Sequence, residues 1–149
     1  MTTPDSEFEN SLLADIPLAR AMQLKLRAYD GTHLTLGAPL EPNVNDKGCA
    51  FGGSLVSLMT LAGWGLVVMK LRDLGRDCDV FVQDSTVRYL APVWGDFVAD
   101  ARLAEGESWG EFDAALTSRG RGRVTVECRI PTDARDACTM QARFVAIRR

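Results

Sequence analysis

The sequence has few of the residues from which metal and redox sites are built. Its 149 residues include one histidine, His33, and four cysteines without CxxC spacing. Zinc sites need several such ligands close together in sequence, so we expect no metal ion and no cofactor. Scattered cysteines also favour the reducing cytoplasm. The acidic start, MTTPDSEFEN, lacks the basic and then apolar pattern of a signal peptide.

The chain also lacks a strong charge of either sign. It has 17 Lys and Arg against 20 Asp and Glu, a net charge of −3. Because such a chain has no overall field that attracts nucleic acid, we do not expect nucleic acid as a partner. With 25% charged and 46% hydrophobic residues it resembles soluble globular proteins. The length suits a single domain, 1–149, and no repeat or linker divides it.

Charge is absent from one long stretch, Ala50 to Met69. Its length would suit a membrane span. Four glycines, two serines and a threonine dilute its hydrophobicity, however, and the strand-like segments around it need a core element to pack on. We therefore expect no membrane span but a buried central helix, roughly Gly52 to Leu74, ended by a left-handed Gly75.

Alternating polar and apolar residues predict strands on both sides of this helix. Before it, MQLKLRAY and THLTLGAPL flank Asp30-Gly31, a strong signal for a β-hairpin. After it, four strands are predicted in DVFVQDSTVRYLAPV, GDFVADARLAE, GRVTVECRI and TMQARFVAIRR, with a short helix over 109–118. The first helix is predicted to begin with a capping box of Ser6 and Glu9 and to stop before Pro17.

These elements predict an α+β fold. Consecutive antiparallel strands bury one face, and the central helix is the element apolar enough to cover it, so the sheet should curl around the helix as in a hot-dog fold. A sheet of this size cannot enclose a helix that is apolar on every side. We therefore expect a homodimer, or a pair of dimers, with Gly63 and Gly65 beside Trp64 permitting close approach of the second subunit.

The stretch NDKGCAFGGS, from Asn45 to Ser54, places two glycines at the start of the central helix. The first N–H groups of a helix have no partner within the helix and carry partial positive charge. Because glycine has no side chain to block them, a substrate oxygen can approach closely. The stretch therefore suits an oxyanion or a polarised carbonyl at Gly52 and Gly53. A tight turn with close packing is the structural alternative.

The motif Asn45-x-x-Gly48-x-x-Phe51-Gly52-Gly53 resembles the NxxGxxHGG signature of hot-dog acyl-CoA thioesterases, and DSTVRYLAP resembles their central strand. Over nearly the whole chain after the first helix, the sequence is similar to the family called putative thioesterase. That family occurs alone or fused behind an acetyltransferase. Its members include malonyl-ACP decarboxylases, which supply acetyl starter units for fatty acid synthesis. The resemblance implies an acyl-ACP or acyl-CoA substrate.

Two departures from the thioesterase signature alter the expected chemistry. Phe51 replaces its histidine, and Thr60 replaces the catalytic acid on its helix. Hydrolysis needs an activated water or a carboxylate nucleophile. Decarboxylation of a malonyl thioester instead needs donors aimed at the thioester oxygen. The expected activity is therefore malonyl-ACP or malonyl-CoA decarboxylation. An acyl-CoA thioesterase and a non-catalytic acyl-thioester binding module are the alternatives.

The candidate catalytic residues are Asn45, Gly53 and Thr60. The resemblance places the amide of Asn45 where it could orient the thioester or donate to the enolate; its structural alternative is an Asx turn. Thr60 could donate to the malonyl carboxylate, which an acid at this position would repel by about 4 kcal/mol at about 4 Å and an effective dielectric of about 20. The candidate substrate-binding residues are Phe51, Gly52, Ser54, Trp64 and Asp84.

Some candidates rest on weaker arguments. A carboxylate in an apolar strand is costly unless it is bonded, so Asp84 is expected either to cap the central helix or to contact substrate. Trp64 could line an acyl channel together with Phe51 and Met59, or it could be a core residue. The basic stretch SRGRGR, with Arg119, Arg121 and Arg123, is a candidate contact for CoA phosphates or an acidic carrier protein, or a solvated turn. His33 is expected at the surface.

Overall fold

The computed structural model describes residues 3–149 and forms one sheet around one long helix. The elements in chain order are α1 (Pro4–Asp15), α2 (Pro17–Met22), β1 (Lys25–Tyr29), β2 (His33–Ala38), a 3₁₀ turn (Glu41–Asn43), α3 (Gly52–Asp73), β3 (Cys78–Tyr89), β4 (Phe97–Leu103), α4 (Trp109–Arg119), β5 (Arg121–Pro131) and β6 (Asp136–Arg148). The predicted helices and strands are therefore present in the predicted order, with a second short helix before β1.

The six strands form an antiparallel sheet in the order β1-β2-β4-β5-β6-β3. On β6, Ala142, Phe144 and Ala146 are buried toward α3, while the residues between them face outward. The sheet curls so that five of its strands contact α3. This arrangement confirms the predicted hot-dog fold. Because β3 comes last in the sheet, its 12 residues form one free edge.

The central helix ends as predicted, with Leu74 as its C-cap and Gly75 in a left-handed conformation at a φ of 69°. By length and composition α3 is apolar enough to cross a membrane. In the fold, however, 56% of its most apolar 18-residue window is buried. The apolar stretch from Ala50 to Met69 therefore belongs to the core helix.

The two glycines beside Trp64 face the protein interior. A methyl group at Gly63 would lie 2.9 Å from the ring of Phe144 on β6, and one at Gly65 would lie 2.7 Å from the ring of Phe8 on α1. The expectation that Gly63 and Gly65 admit a second subunit is therefore wrong. They let α3 approach its own sheet and the N-terminal helix, because a Cβ at either position would overlap an aromatic ring.

The N-terminal helix begins earlier than the sequence predicted. Thr3 is the N-cap: its hydroxyl accepts from the N–H of Ser6 at 3.1 Å, and the hydroxyl of Ser6 accepts from the N–H of Thr3 at 2.9 Å. The predicted capping box of Ser6 and Glu9 is therefore wrong, because Pro4 suits the first helical position and sets the start. The carboxylate of Glu9 instead accepts from the N–H of Leu26 on β1 at 2.8 Å.

The hairpin is confirmed, although its first strand is shorter than predicted because residues 17–22 form α2. Gly31 has a φ of 91° between β1 and β2. The carboxylate of Asp30 accepts from the N–H groups of Thr32 and His33, at 2.9 and 2.7 Å, which lowers the pKa of Asp30 to about 2. His33 lies exposed at the start of β2, as expected.

Candidate active site

Two backbone donors are unpaired at the start of α3. Phe51 is the N-cap residue, and no side chain of residues 3–149 caps the helix. The carbonyl of Phe51 accepts from the N–H groups of Ser54 and Leu55, at 2.9 and 3.1 Å, whereas the N–H groups of Gly52 and Gly53 have no acceptor among residues 3–149. Two adjacent donors therefore stand at the positive end of a 22-residue helix, where they can bind a developing oxyanion.

An aromatic ring stands beside each of these glycines. A methyl group at Gly52 would lie 3.4 Å from Cε1 of Tyr89, at the end of β3, and one at Gly53 would overlap the ring of Phe51. Both aromatic residues are more than half exposed, at 58% for Tyr89 and 55% for Phe51. The glycines therefore serve close packing as well as access to the helix start, and one side of the site is open to solvent in a single chain.

The Asn45 side chain takes part in an Asx turn. Its Oδ1 accepts from the N–H groups of Lys47 and Cys49, at 2.8 and 3.2 Å. Its Nδ2 donates to Sγ of Cys49 at 3.2 Å. Because a thiol sulfur is a weak acceptor, the donor half of the amide can be redirected to a substrate oxygen, whereas the acceptor half is engaged in closing the loop.

Thr60 lies on α3 beyond the glycines. It is the seventh residue after Gly53, about 10 Å along the helix axis, with its side chain tilted back toward the helix start. Its hydroxyl donates to the thioether sulfur of Met140, on β6, at 3.7 Å. A thioether is also a weak acceptor, so this hydrogen bond costs little to exchange for one to a stronger acceptor. Ser54 adjoins the glycines in the first turn and is half-buried.

Trp64 is not part of this cluster. It lies 11 residues beyond Gly53, about 16 Å along the axis. Its Nε1 donates to the carbonyl of Val80 at 3.2 Å, and its ring packs against Phe8 with centroids 6.0 Å apart. There it lines a cavity of about 520 Å³ between α1, α3 and the start of β3. The structure therefore places Trp64 with the N-terminal helix and not at the start of α3.

Asp84 also lies apart from the start of α3. It is exposed and pairs across the sheet with Arg143. Cross-strand partners share a face, and Arg143 faces outward between the buried Ala142 and Phe144. Asp84 therefore lies on the face of the sheet away from α3, so the expectation that it caps the helix is wrong. The prediction assumed that the Asp84 carboxylate is buried, and burial without a hydrogen bond is costly. Because Asp84 is exposed, that cost does not arise.

The predicted basic stretch is distant from the helix start. Arg119 ends α4, and the exposed Arg121 and Arg123 begin β5, beside a cavity of about 580 Å³ that Glu107 and Glu111 also line. Arg123 pairs with Val145, near the end of β6, whereas Tyr89 pairs with Cys138, near the start of β6. The arginines therefore lie at the opposite end of the sheet from Gly52 and Gly53.

Near the start of α3, hydrogen-bond donors outnumber groups that could act as a general base. The charged pair nearest in sequence, Asp46 and Lys47, is exposed, with Nζ and Oδ1 2.9 Å apart, and the hydrogen bond from Lys47 lowers the pKa of Asp46. No acidic residue precedes Asp73 on α3. Behind the helix, the thiol of Cys128 donates to the carbonyl of Met59, and burial raises its pKa to about 12, so it stays neutral.

Two residues of the site were missed by the sequence analysis. Tyr89 belongs to the quoted strand motif, but the motif does not show that its ring reaches Gly52. Asn43 is 2% exposed, and it is the one buried polar side chain among residues 3–149. Asn43 and Asn45 occupy the same polar loop, and only their contacts in the fold distinguish the two amides.

A known protein family matches almost the whole chain. The model of the family described as "Putative thioesterase (yiiD_Cterm)" matches residues 5–148. The chain belongs to this family. Membership of the putative thioesterase family makes it an acyl-thioester-processing enzyme with a hot-dog fold.

Several solved structures are similar to this member of the putative thioesterase family over almost its whole length. A protein of unknown function from Chlorobaculum tepidum TLS is 30% identical, with 99% of this chain and 98% of that chain covered and a TM-score of 0.92. A structure named as a putative thioesterase from Shewanella oneidensis is 26% identical, with 97% of each chain covered and a TM-score of 0.86. A Pseudomonas aeruginosa structure, 20% identical over 100% and 99% of the two chains, has the same fold at a TM-score of 0.83.

Proposed function

We propose that the chain decarboxylates a malonyl thioester, carried on ACP or CoA, and releases the acetyl thioester. The observation that carries the proposal is the pair of N–H groups at Gly52 and Gly53, which have no acceptor in the described part of the chain and stand on a helix without an acid before Asp73. When the carbon–carbon bond to the carboxylate breaks, carbon dioxide leaves and the electron pair forms an enolate. Its negative charge rests largely on the thioester oxygen, where the two donors stabilise it. Protonation of the α-carbon by water completes the reaction.

Side chains add to this stabilisation at two points. The Nδ2 of Asn45, now on the weak acceptor Cys49, turns to donate to the thioester oxygen. The hydroxyl of Thr60, now on Met140, donates to the malonyl carboxylate. Removing one donor of an oxyanion site lowers kcat by about 10²–10³-fold in well-studied enzymes, so two backbone donors account for a large part of the rate. Phe51 and Ser54 flank the bound thioester.

We also infer that the enzyme is a homodimer formed along β3. Large apolar side chains are exposed on this free edge strand and on the segments beside it: Phe51, Phe81, Val82, Tyr89, Leu90 and Trp94. A long edge strand offers unpaired backbone groups to another chain, and exposed apolar side chains along such an edge favour an interface. A second copy placed there would cover the open side of the site beside Phe51 and Tyr89. The acyl thioester then binds between the subunits.

The activity is tested by product analysis. Purified protein is incubated with malonyl-ACP, malonyl-CoA and a panel of acyl-CoAs, and acetyl thioester and free thiol are followed separately. We expect acetyl thioester from a malonyl substrate without an equivalent release of thiol. Free thiol without acetyl thioester would assign the hydrolysis that the family name describes and would overturn decarboxylation. Binding without either product would assign an acyl-thioester binding module. Heat-denatured protein controls for spontaneous breakdown.

A further inference from the structure

We propose that Asn43 is a positioning residue that holds the start of α3 in the geometry that the enolate requires. The proposal rests on the function proposed above and assigns a role to a side chain that does not itself reach the substrate. Asn43 ends the 3₁₀ turn and lies eight residues before Phe51, the N-cap of α3. Buried polar groups are retained where their hydrogen bonds specify a unique arrangement.

The Asn43 amide joins two separate segments. Its Nδ2 donates to the carbonyl of Met22, at the end of α2, at 3.0 Å, and to the carbonyl of Pro39, just after β2, at 2.8 Å. Both donor positions of the amide are thus used on the main chain. Its Oδ1 is buried and has no hydrogen-bond partner in the described part of the chain, residues 3–149. Packing alone would favour an apolar residue here, because an unpaired buried oxygen destabilises the fold. The two donated bonds are therefore the reason for an amide at this position.

The main chain of Asn43 extends this connection to the helix. Its carbonyl accepts from the N–H of Phe51 at 2.7 Å, and Ala50 next to it donates to the carbonyl of Val93 at 2.8 Å. Among the described residues no side chain caps α3, so these two bonds fix the backbone immediately before the Gly52 and Gly53 donors. The hydrogen bond from Phe51 to Asn43 sets the direction in which the N–H groups of Gly52 and Gly53 point.

A displaced oxyanion site loses transition-state stabilisation before it loses substrate binding. Misplacement by about 1 Å costs on the order of 100-fold in rate, and donors that act on developing charge contribute to kcat more than to KM. We therefore expect Asn43→Ser, which keeps at most one of the two donated bonds, to lower kcat at least about tenfold while KM changes less than about twofold.

A matched control separates positioning from simple destabilisation. Leu116→Ala opens a cavity under α4, at the other end of the molecule from the site, and also lowers the melting temperature. All variants are assayed well below their melting temperatures. The amide signals of Gly52 and Gly53 are followed in ¹⁵N–¹H spectra. We expect Asn43→Ser to move both signals and Leu116→Ala to leave both signals and kcat unchanged. Asn43→Gln, which retains two N–H donors, should lose less kcat than Asn43→Ser.

Two outcomes would overturn the proposal. One is a folded Asn43→Ser with wild-type kcat or with the Gly52 and Gly53 signals at their wild-type positions. The other, decisive if Asn43→Ser does not fold, is an Asn43→Gln variant in which kcat falls while the Gly52 and Gly53 signals stay at their wild-type positions. If the wild-type enzyme decarboxylates no malonyl thioester, the proposed function fails. The glycine signals then still decide whether Asn43 positions the helix start.

Discussion

The ring of Phe51 lies against Gly53 so closely that a methyl group on the glycine would lie 3.0 Å from the ring atoms Cδ2 and Cζ. The ring therefore covers the side of the glycine where any other residue would carry its side chain. The N–H group of Gly53 has no acceptor within the described residues 3–149. The same residue is thus both closely packed and available for hydrogen bonding.

Replacement of Gly53 tests this relationship. Gly53→Ala adds a methyl group that must displace the Phe51 ring or the first helical turn, so we expect kcat for decarboxylation to fall at least about tenfold. Stability should not fall much, since alanine favours helix by about 1 kcal/mol over glycine. Gly110→Ala is the matched control, because Gly110 holds the same second position in α4. Steady-state rates and melting curves check both variants. Full activity in Gly53→Ala would show that catalysis does not depend on the close contact between Gly53 and the Phe51 ring.

Thr60 tests the choice between decarboxylation and hydrolysis. Thr60→Asp restores the acid of the thioesterase signature, and at about 4 Å its repulsion of the malonyl carboxylate, about 4 kcal/mol, weakens binding about 1,000-fold. The side chain of Thr60→Asn has nearly the same shape as that of Thr60→Asp but carries no charge. Thr60→Asn should therefore bind malonyl-CoA far better than Thr60→Asp. Binding of acetyl-CoA, measured by competition, should differ little between the two. Equal affinity of the two variants for malonyl-CoA would show that its carboxylate does not lie near position 60.

Asn45 can be divided into its acceptor and its donor. Asn45→Asp keeps the oxygen that accepts from Lys47 and Cys49 and removes the Nδ2 donor. We expect its melting temperature to stay near that of the wild type while turnover of malonyl thioester falls at least about tenfold. Asn45→Ala should lose turnover and also some stability, because it opens the Asx turn. Wild-type turnover in both variants would leave Asn45 with no part in catalysis.

The β3 edge predicts the oligomeric state. Val82 is 46% exposed on this edge strand, and a lysine there opposes pairing with a second chain. We expect the wild-type enzyme to have the mass of two chains in light scattering, and Val82→Lys to be monomeric and much less active. Leu18→Lys, on the exposed face of α2, is the control and should remain dimeric. A wild-type enzyme that is monomeric and active would contradict the proposed dimer.

Much of the fold could be predicted because its signals are local. The uncharged stretch from Ala50 to Met69 specified α3, Gly75 marked its end, and alternation of apolar residues marked the strands. Local signals were misleading where the sequence allowed two interpretations. Ser6 and Glu9 fit a capping box, but Thr3 with Pro4 begins the helix earlier. Glycines can admit any neighbour, and only the packed structure shows that Gly63 and Gly65 face Phe144 and Phe8.

The sequence by itself determined the elements, the family and the glycines at the start of α3, since these depend on local pattern. The tertiary structure decided which side chains surround those glycines. Asp84 shows the physical reason. Val82 pairs with the inward Phe144, and a regular strand would turn Asp84 inward too, but a bulge between them pairs it with Arg143. One extra residue reverses the face of every residue that follows, so Asp84 lies outside and Tyr89 beside Gly52.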